Sequence, residues 1–197
     1  SPLVMHIGLP HFLTKYPINV DESKLNNFTG RYDTWTLNDA PLGLGLSGNQ
    51  LAVGPDGKRF ANENTVMQLF TKDLKTSSWP SFRVGHFFYS IWSEKMLQDV
   101  AENGLSKVAR WEVYQTQGGV PRDMPIPEIF EVMDATIEDG MAWKADTIEE
   151  LAAQIEVDPT ALRETVDAYN GYCAAGVDDE YGKEAELLDA LEEGPFY

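Results

Sequence analysis

The last third of the chain has hydrophobic residues at every third or fourth position, the spacing of a helix that buries one face. In "ADTIEELAAQI" Asp146 is the predicted N-cap, and Glu149 follows three residues later to complete a capping box. The apolar positions of this predicted helix are Ile148, Leu151, Ala152 and Ile155.

The same period continues through "VDPTALRETVDAYNGYCAAG". Asp158 is the predicted N-cap, Pro159 takes the first helical position and Gly176 ends the helix. Its inner face carries Leu162, Val166, Tyr169 and Cys173. Two helices joined by so short a turn predict a C-terminal α-hairpin.

Two further helices are predicted in the middle of the chain. The first begins at the Ser93 N-cap, runs through Asn103 and ends at Gly104. The second covers 128–139 and closes at Gly140. The apolar stripe of the first is Met96, Leu97, Val100 and Ala101, and that of the second is Ile129, Val132, Met133 and Ile137.

The first half of the chain has strand and turn signals instead. "NQLAVGPDGKRFA" predicts a hairpin in which Leu51 and Val53 lead in and Phe60 leads out of the turn at 55–57. Residues 1–48 are predicted to be an irregular arm, and 105–127 a surface loop rich in glycine and proline, with a short strand at 111–114 as the alternative. The predicted class is α+β, dominated by helices, with a small antiparallel sheet.

Length and composition fit a single domain over residues 1–197. The hydrophobic fraction of 43% suffices for a core. No stretch approaches the roughly 18 consecutive apolar residues of a membrane helix. The start, "SPLVMHIGLPHF", lacks both an initiator Met and the pattern of a secretory signal, which suggests a segment cut from a longer chain.

The chain has few residues of the kinds that bind metals. A single cysteine, Cys173, rules out a disulfide framework and a cysteine-rich zinc site, and buried packing is favoured over a reactive thiol. His6 and His11 do not have the spacing of a helical metal pair, and His86 is predicted to be a core histidine. No metal site is therefore predicted.

The net charge of −17 is concentrated at one end. Residues 1–127 hold 12 acidic and 12 basic side chains, and residues 128–197 hold 20 acidic and 3 basic ones. Such a surface repels phosphate backbones, so nucleic acid is not an expected partner. A solvated surface is the simpler interpretation, and steering of a cationic ligand is the alternative.

Two stretches carry a resemblance to a known family. They are "GKRFANEN" at 57–64 and "KADTIEELAAQIEVDPTALRETVDAYNGYCAAGVDDEYGK", which continues to "GPFY" at the end. Together they resemble the fumarate reductase flavoproteins, the FAD-dependent group that includes urocanate reductase and ketosteroid dehydrogenases. The resemblance is loose over 49–104 and close over 140–197.

The resemblance implies that residues 1–197 are the cap, or clamp, domain of such a bacterial flavoprotein, with the arm 1–48 near the hinge. The implied partners are the FAD-binding domain of the same polypeptide, which would hold most of the FAD, and a small-molecule substrate. Arg59, Phe60, Asn62 and Glu63 would lie where the cap meets the flavin. Alternatively, Arg59 and Glu63, four residues apart, pair with each other or with the backbone.

This sequence departs from the family pattern at two places. The arginine that donates a proton in fumarate reductases aligns with Met67, and an apolar side chain is no acid. The Thr-Glu pair that grips a substrate carboxylate aligns with Leu42 and Gly43. A short insertion would instead place Lys72 as the acid, with a pKa lowered by burial. The alternative for Lys72 is an ordinary surface lysine.

The expected function is therefore capping of a substrate in an oxidoreductase that moves hydride between FAD and an activated C=C bond. The substrate is not expected to be a simple dicarboxylate, and the chain alone is expected to be inactive. The alternatives are the cap of a ketosteroid-type dehydrogenase and a non-catalytic binding module with the cap fold. The compartment stays open between bacterial cytoplasm and export.

Overall fold

A computed structural model describes residues 48–66, 88–104, 125–127, 129–138, 140 and 142–197. The elements in chain order are β1 Leu51–Val53, α1 Glu63–Val66, β2 Tyr89–Ile91, α2 Glu94–Asn103, α3 Ile129–Glu138, α4 Ile148–Gln154, α5 Pro159–Ala175 and a 3₁₀ turn, Ala185–Leu187. The predicted α+β class, helix-dominated with a small antiparallel sheet, is confirmed.

The sheet pairs β1 with β2 antiparallel, with Leu51 opposite Ile91 and Val53 opposite Tyr89. The predicted turn forms, since the Gly54 N–H donates to the Lys58 carbonyl at 2.9 Å. The prediction of a return strand after the turn is wrong. In place of a strand, the residues after the turn make a single bridge, between Val53 and Arg59. The chain enters α1 only four residues later, so β1 takes its long partner from the distant β2.

Helix α2 matches its prediction at both ends. The Ser93 hydroxyl accepts from the Met96 N–H, and the Gly104 N–H donates back to the Val100 carbonyl at 2.9 Å. All four residues of its predicted stripe are buried. The predicted helix at 128–139 is present as α3, with Ile129 and Met133 buried.

The predicted α-hairpin is formed by α4 and α5. The predicted capping box at the start of α4, with Asp146 as the N-cap, is wrong. The N-cap is Thr147, whose hydroxyl accepts from the Glu150 N–H at 3.2 Å. Glu149 does not reach back to Asp146. It accepts two hydrogen bonds from Arg163 of α5, at 2.7 and 2.8 Å, and so joins the two helices.

Helix α5 begins and ends as predicted. The Asp158 carboxylate accepts from the N–H groups of Thr160 and Ala161, Pro159 is the first helical residue and Gly176 adopts the left-handed conformation. Leu162, Val166 and Tyr169 are buried, whereas Cys173 is half-buried.

The end of the chain is held between two other segments. The Trp92 and Tyr197 backbones exchange hydrogen bonds of 3.0 and 2.9 Å, and the Ala145 and Phe196 backbones exchange bonds of 3.0 and 2.7 Å. Phe196 and Tyr197 are buried in the same core as the sheet and the α-hairpin. The predicted arm 1–48 and loop 105–127 lie outside the described residues, apart from residue 48 and residues 125–127.

No helix within the described ranges is long and apolar enough to cross a membrane.

The turn at 55–57 packs against the start of α5, and this contact requires a glycine. Gly57 has φ +72°, and a Cβ there would lie 2.8 Å from Val157 Cγ1 and 3.1 Å from the Leu162 nitrogen. The Gly57 carbonyl also accepts from the Thr165 hydroxyl at 2.8 Å.

Replacing Gly57 with Ala is therefore expected to lower the free energy of unfolding by about 2–4 kcal/mol, from backbone strain plus the clash. Gly140→Ala is the matched control, because Gly140 has φ +71° but no described residue lies within 4 Å of a Cβ built there. Strain alone predicts a smaller loss of about 1–2 kcal/mol for the control. Urea denaturation of both variants measures the difference, and equal losses would contradict the packing argument.

Candidate functional site

The segment after the turn, residues 59–64, is here called the exit segment. Its backbone makes one bridge to β1 and then turns into α1. The Asn62 carboxamide oxygen accepts from the Asn64 N–H at 2.9 Å, which stabilises the bend into the helix. This local structure places Arg59 and Glu63 on the same, inward side.

Arg59 and Glu63 form a two-point ion pair. The distances are 2.8 Å from Arg59 Nε to Glu63 Oε1 and 2.8 Å from Arg59 Nη2 to Glu63 Oε2. Both side chains are buried, with 2% and 0% of their surface exposed. The predicted alternative that these two residues pair with each other is confirmed.

A second carboxylate, from a distant part of the sequence, also binds Arg59. Asp178 Oδ2 lies 2.7 Å from Arg59 Nη2 and also accepts from the Lys183 N–H at 2.9 Å. Its other oxygen accepts from the N–H groups of Glu180 and Tyr181. Burial alone would raise the pKa of Asp178, but the hydrogen bonds from Arg59 and the backbone lower it to about 2.

Lys183 is the second buried cation. Its Nζ donates to the Gln50 carbonyl and to the Tyr169 hydroxyl, both at 2.7 Å, and lies 3.4 Å from Glu63 Oε2. Burial lowers the pKa of Lys183 to about 8, although the nearby Glu63 opposes this change.

Two tyrosine rings also surround the Arg59 guanidinium, and the partly exposed Glu180 carboxylate lies 4.0 Å from its Nη1. Its Cζ lies 5.3 Å from the ring centre of Tyr169 and 5.0 Å from that of Tyr181, within the range of a cation–π interaction. The Tyr181 hydroxyl also donates to the Arg59 carbonyl at 3.2 Å.

We call Arg59, Glu63, Tyr169, Asp178 and Lys183 the buried charge cluster. Its two cations and two anions sum to a net charge of zero. Burying charges is costly, and the cost is recovered only when each charge is paired and hydrogen-bonded. Burial acts against the charge on Arg59, yet bonds to Glu63 and Asp178 raise the Arg59 pKa well above its ordinary value. Arg59 therefore stays charged.

The other two predicted residues of the exit segment lie at its surface. Phe60 is half-buried, with its ring centre 5.5 Å from that of Phe88. Asn62 is also half-buried, and its Nδ2 donates to the Gly182 carbonyl at 3.0 Å. The structure thus separates the four predicted residues into a buried pair and a surface pair. Their orientation toward a flavin stays a prediction.

The remaining predicted site positions lie outside the described residues. These are Lys72, Met67, Leu42 and Gly43.

Sequence reasoning missed the part of the cluster that comes from the C-terminal half. Asp178 and Lys183 follow α5 in "VDDEYGK", where no hydrophobic period marks them. Tyr169 was predicted only as an inner-face residue of α5. One available signal was the scarcity of cations, because residues 128–197 contain only three.

The N-termini of α2, α4 and α5 are capped by side chains of this chain. A helix N-terminus binds a pyrophosphate through free N–H groups, but Ser93 and Thr147 each accept one first-turn N–H of α2 and α4, and Asp158 accepts two of α5. Among the same residues, no group of three or more His, Cys, Asp or Glu side chains is arranged to hold a metal ion. At these three helices the capping side chains occupy the position that the diphosphate of FAD would take.

Comparisons with known proteins give several partial matches. The chain is 32% identical over 115 residues to digoxin reductase from Eggerthella lenta, which covers 52% of this chain and 20% of that protein. It is 40% identical over 55 residues to vinyl phenol reductase from Lactiplantibacillus plantarum, covering 28% and 11%. The chain thus spans a fifth or less of the length of these relatives. No family model matches it.

A solution structure of a fumarate reductase flavoprotein subunit from Lactobacillus plantarum also matches, with 19% identity and a TM-score of 0.49. The match covers 78% of this chain and 82% of that one. The predicted resemblance to the fumarate reductase flavoproteins is confirmed by the sequence matches to the reductases.

Removing the central cation tests the energetic weight of the buried charge cluster. Arg59→Leu leaves Glu63 and Asp178 without their main partner, so we expect a loss of about 3–5 kcal/mol in unfolding free energy. The control is Arg163→Leu, because Arg163 also binds a glutamate at two points but is 36% exposed. An exposed pair predicts a loss of about 0–1 kcal/mol. Similar losses in urea denaturation would show that burial does not set the strength of the pair.

Proposed function

We propose that this chain, a relative of the fumarate reductase flavoproteins, is the substrate-capping domain of an FAD-dependent oxidoreductase. The reaction is hydride transfer between the flavin and an activated C=C bond of a small molecule. When bound, FAD supplies the hydride or accepts it. The FAD-binding domain belongs to the same polypeptide, outside the 197 residues.

One observation carries the proposal. The two stretches that resemble the flavoprotein family meet in the buried charge cluster, where Arg59 of the first contacts Asp178 of the second across 119 sequence positions. The two motifs thus form one three-dimensional unit in this chain. The names of the relatives support the reaction type, since the vinyl group of a vinyl phenol is a C=C bond conjugated to a ring.

In this proposal the cluster keeps the exit segment rigid, and the surface pair, Phe60 and Asn62, faces the substrate and the flavin. Phe60 supplies an apolar contact that excludes water, and Asn62 supplies an amide that can orient a polar group. With Met67, Leu42 and Gly43 where fumarate reductases carry charged or polar groups, the pocket suits a substrate other than a simple dicarboxylate.

The first test compares the 197-residue chain with the full-length protein from the same gene. We expect the full-length protein to purify with a flavin spectrum and to reduce a C=C substrate with an artificial electron donor, and the short chain to do neither. A panel of fumarate, acrylate, a vinyl phenol and a steroid enone separates the reductase from a ketosteroid-type dehydrogenase. A flavin-free full-length protein would indicate a binding module instead.

In the full-length enzyme, Phe60→Ala is expected to lower kcat/KM at least about tenfold, equivalent to about 1.4 kcal/mol of transition-state stabilisation. Val177→Ala is the control, because Val177 is 54% exposed and lies in neither the exit segment nor the buried charge cluster. Equal effects of the two substitutions would show that Phe60 does not line the substrate pocket.

Lys72 is proposed as the proton donor in place of the missing arginine. Lys72→Ala in the full-length enzyme is expected to lower kcat by about 10²–10⁴-fold, the usual contribution of a general acid. Lys75→Ala is the matched control, three residues further along the same stretch. Unchanged turnover in Lys72→Ala would show that Lys72 is not the proton donor and would favour the alternative of an ordinary surface lysine.

A further inference from the structure

Lys183 stands apart from the other cations of the acidic C-terminal part. Residues 128–197 contain three, Lys144, Arg163 and Lys183. Lys144 is exposed and Arg163 pairs with Glu149 on the surface, whereas Lys183 is buried and only 3% exposed. A lone lysine is rarely buried without a specific set of partners.

The partners of Lys183 come from two distant parts of the chain. Gln50 and Glu63 lie on either side of the turn, and Tyr169 lies on α5. The ammonium also lies 4.8 Å from the centre of the Tyr169 ring. It therefore holds the region around β1 and α1 against the last turns of α5 and the segment that follows.

The titratable and charged groups that face Lys183 in the described structure are Arg59, Glu63, Tyr169 and Cys173. Arg59 keeps its charge, because its pKa is raised by Glu63 and Asp178 in spite of burial. Burial raises the pKa values of Tyr169 and Cys173, which favours their neutral forms. Lys183, with a pKa of about 8, is the group whose charge changes first as the solution becomes alkaline.

We propose that the Lys183 ammonium is a proton-dependent clamp between the exit segment and the C-terminal half of the domain. Releasing its proton changes the charge of the cluster from zero to −1 and removes the attraction between Nζ and the Glu63 carboxylate. Among the described residues, the bonds that Glu63 then keeps are those to Arg59 and to the Ala52 N–H, which donates at 3.3 Å. This proposal is independent of the proposed capping function, because it concerns contacts between residues of this chain alone.

Release of the clamp is a local change and not unfolding. The pKa of Lys183 in the folded chain, about 8, lies below its ordinary value of 10.5, so the folded state loses its proton first. Between these two values the unfolded chain binds more protons, and the contribution of Lys183 to stability rises with pH. Loosening of the contact with Glu63 is therefore expected in a chain that stays folded.

An NMR titration of the 197-residue chain tests the proposal with two probes. The Lys183 side-chain ¹³Cε resonance reports its own proton, and the Ala52 amide resonance reports Glu63. We expect both to shift with a common midpoint near pH 8. Lys144 is the side-chain control, since a hydrogen bond with Tyr197 raises its pKa. The Lys58 amide, bound to Asp56 on the surface, is the backbone control and should show no such midpoint.

Two variants separate the clamp from a general effect of pH. In Lys183→Met the Ala52 midpoint is expected to vanish, because no proton is lost. Lys183→Arg keeps the charge and should also hold the Ala52 resonance constant over this range. A Lys183 midpoint near the ordinary lysine value of about 10.4 would overturn the proposal. So would an Ala52 resonance that does not follow Lys183 in the unsubstituted chain, a result that needs no variant to fold.

Discussion

The pairing of one buried guanidinium with two carboxylates is the interaction on which the rest of the described structure depends. Arg59 binds Glu63, four residues away, and Asp178, 119 positions away. A buried guanidinium that lost either carboxylate would leave uncompensated charge in a medium of low dielectric constant, at a cost of several kcal/mol. Because separating these charges is costly, the cluster holds the exit segment against the end of α5. This electrostatic contribution adds to the attraction between apolar surfaces, which has no preferred direction.

Two other sets of contacts also hold together parts of the chain that are distant in the sequence. The turn packs on α5 through Gly57, which leaves no room for a side chain. The last residues of the chain pair with the segments at Trp92 and Ala145 through reciprocal backbone bonds. The exit segment is thus held by a charge cluster on one side and by close packing next to it, which is the rigidity that the proposed positioning of a substrate requires.

The strong and weak electrostatic contacts are divided between the interior and the surface. Arg163 and Glu149 have the same two-point geometry as Arg59 and Glu63, but their side chains are 36% and 50% exposed, so solvent screens their attraction. Most of the acidic side chains of the C-terminal part lie on this solvated surface. The buried charge cluster is neutral as a whole, and Lys183 is its member that responds to pH in the mildly alkaline range.

The amino-acid sequence by itself determined the helices α2, α3 and α5 and the α-hairpin, because periodic apolar residues and caps such as Ser93 and Asp158 act within a few positions of the chain. It also indicated the flavoprotein relationship. Only the tertiary structure decided that Glu149 binds Arg163, that β1 pairs with β2, and that Asp178 and Lys183 join the buried charge cluster. In each case several local partners were chemically suitable, and the choice was made by a group far away in the sequence: Arg163 for Glu149, β2 for β1, and Arg59 for Asp178.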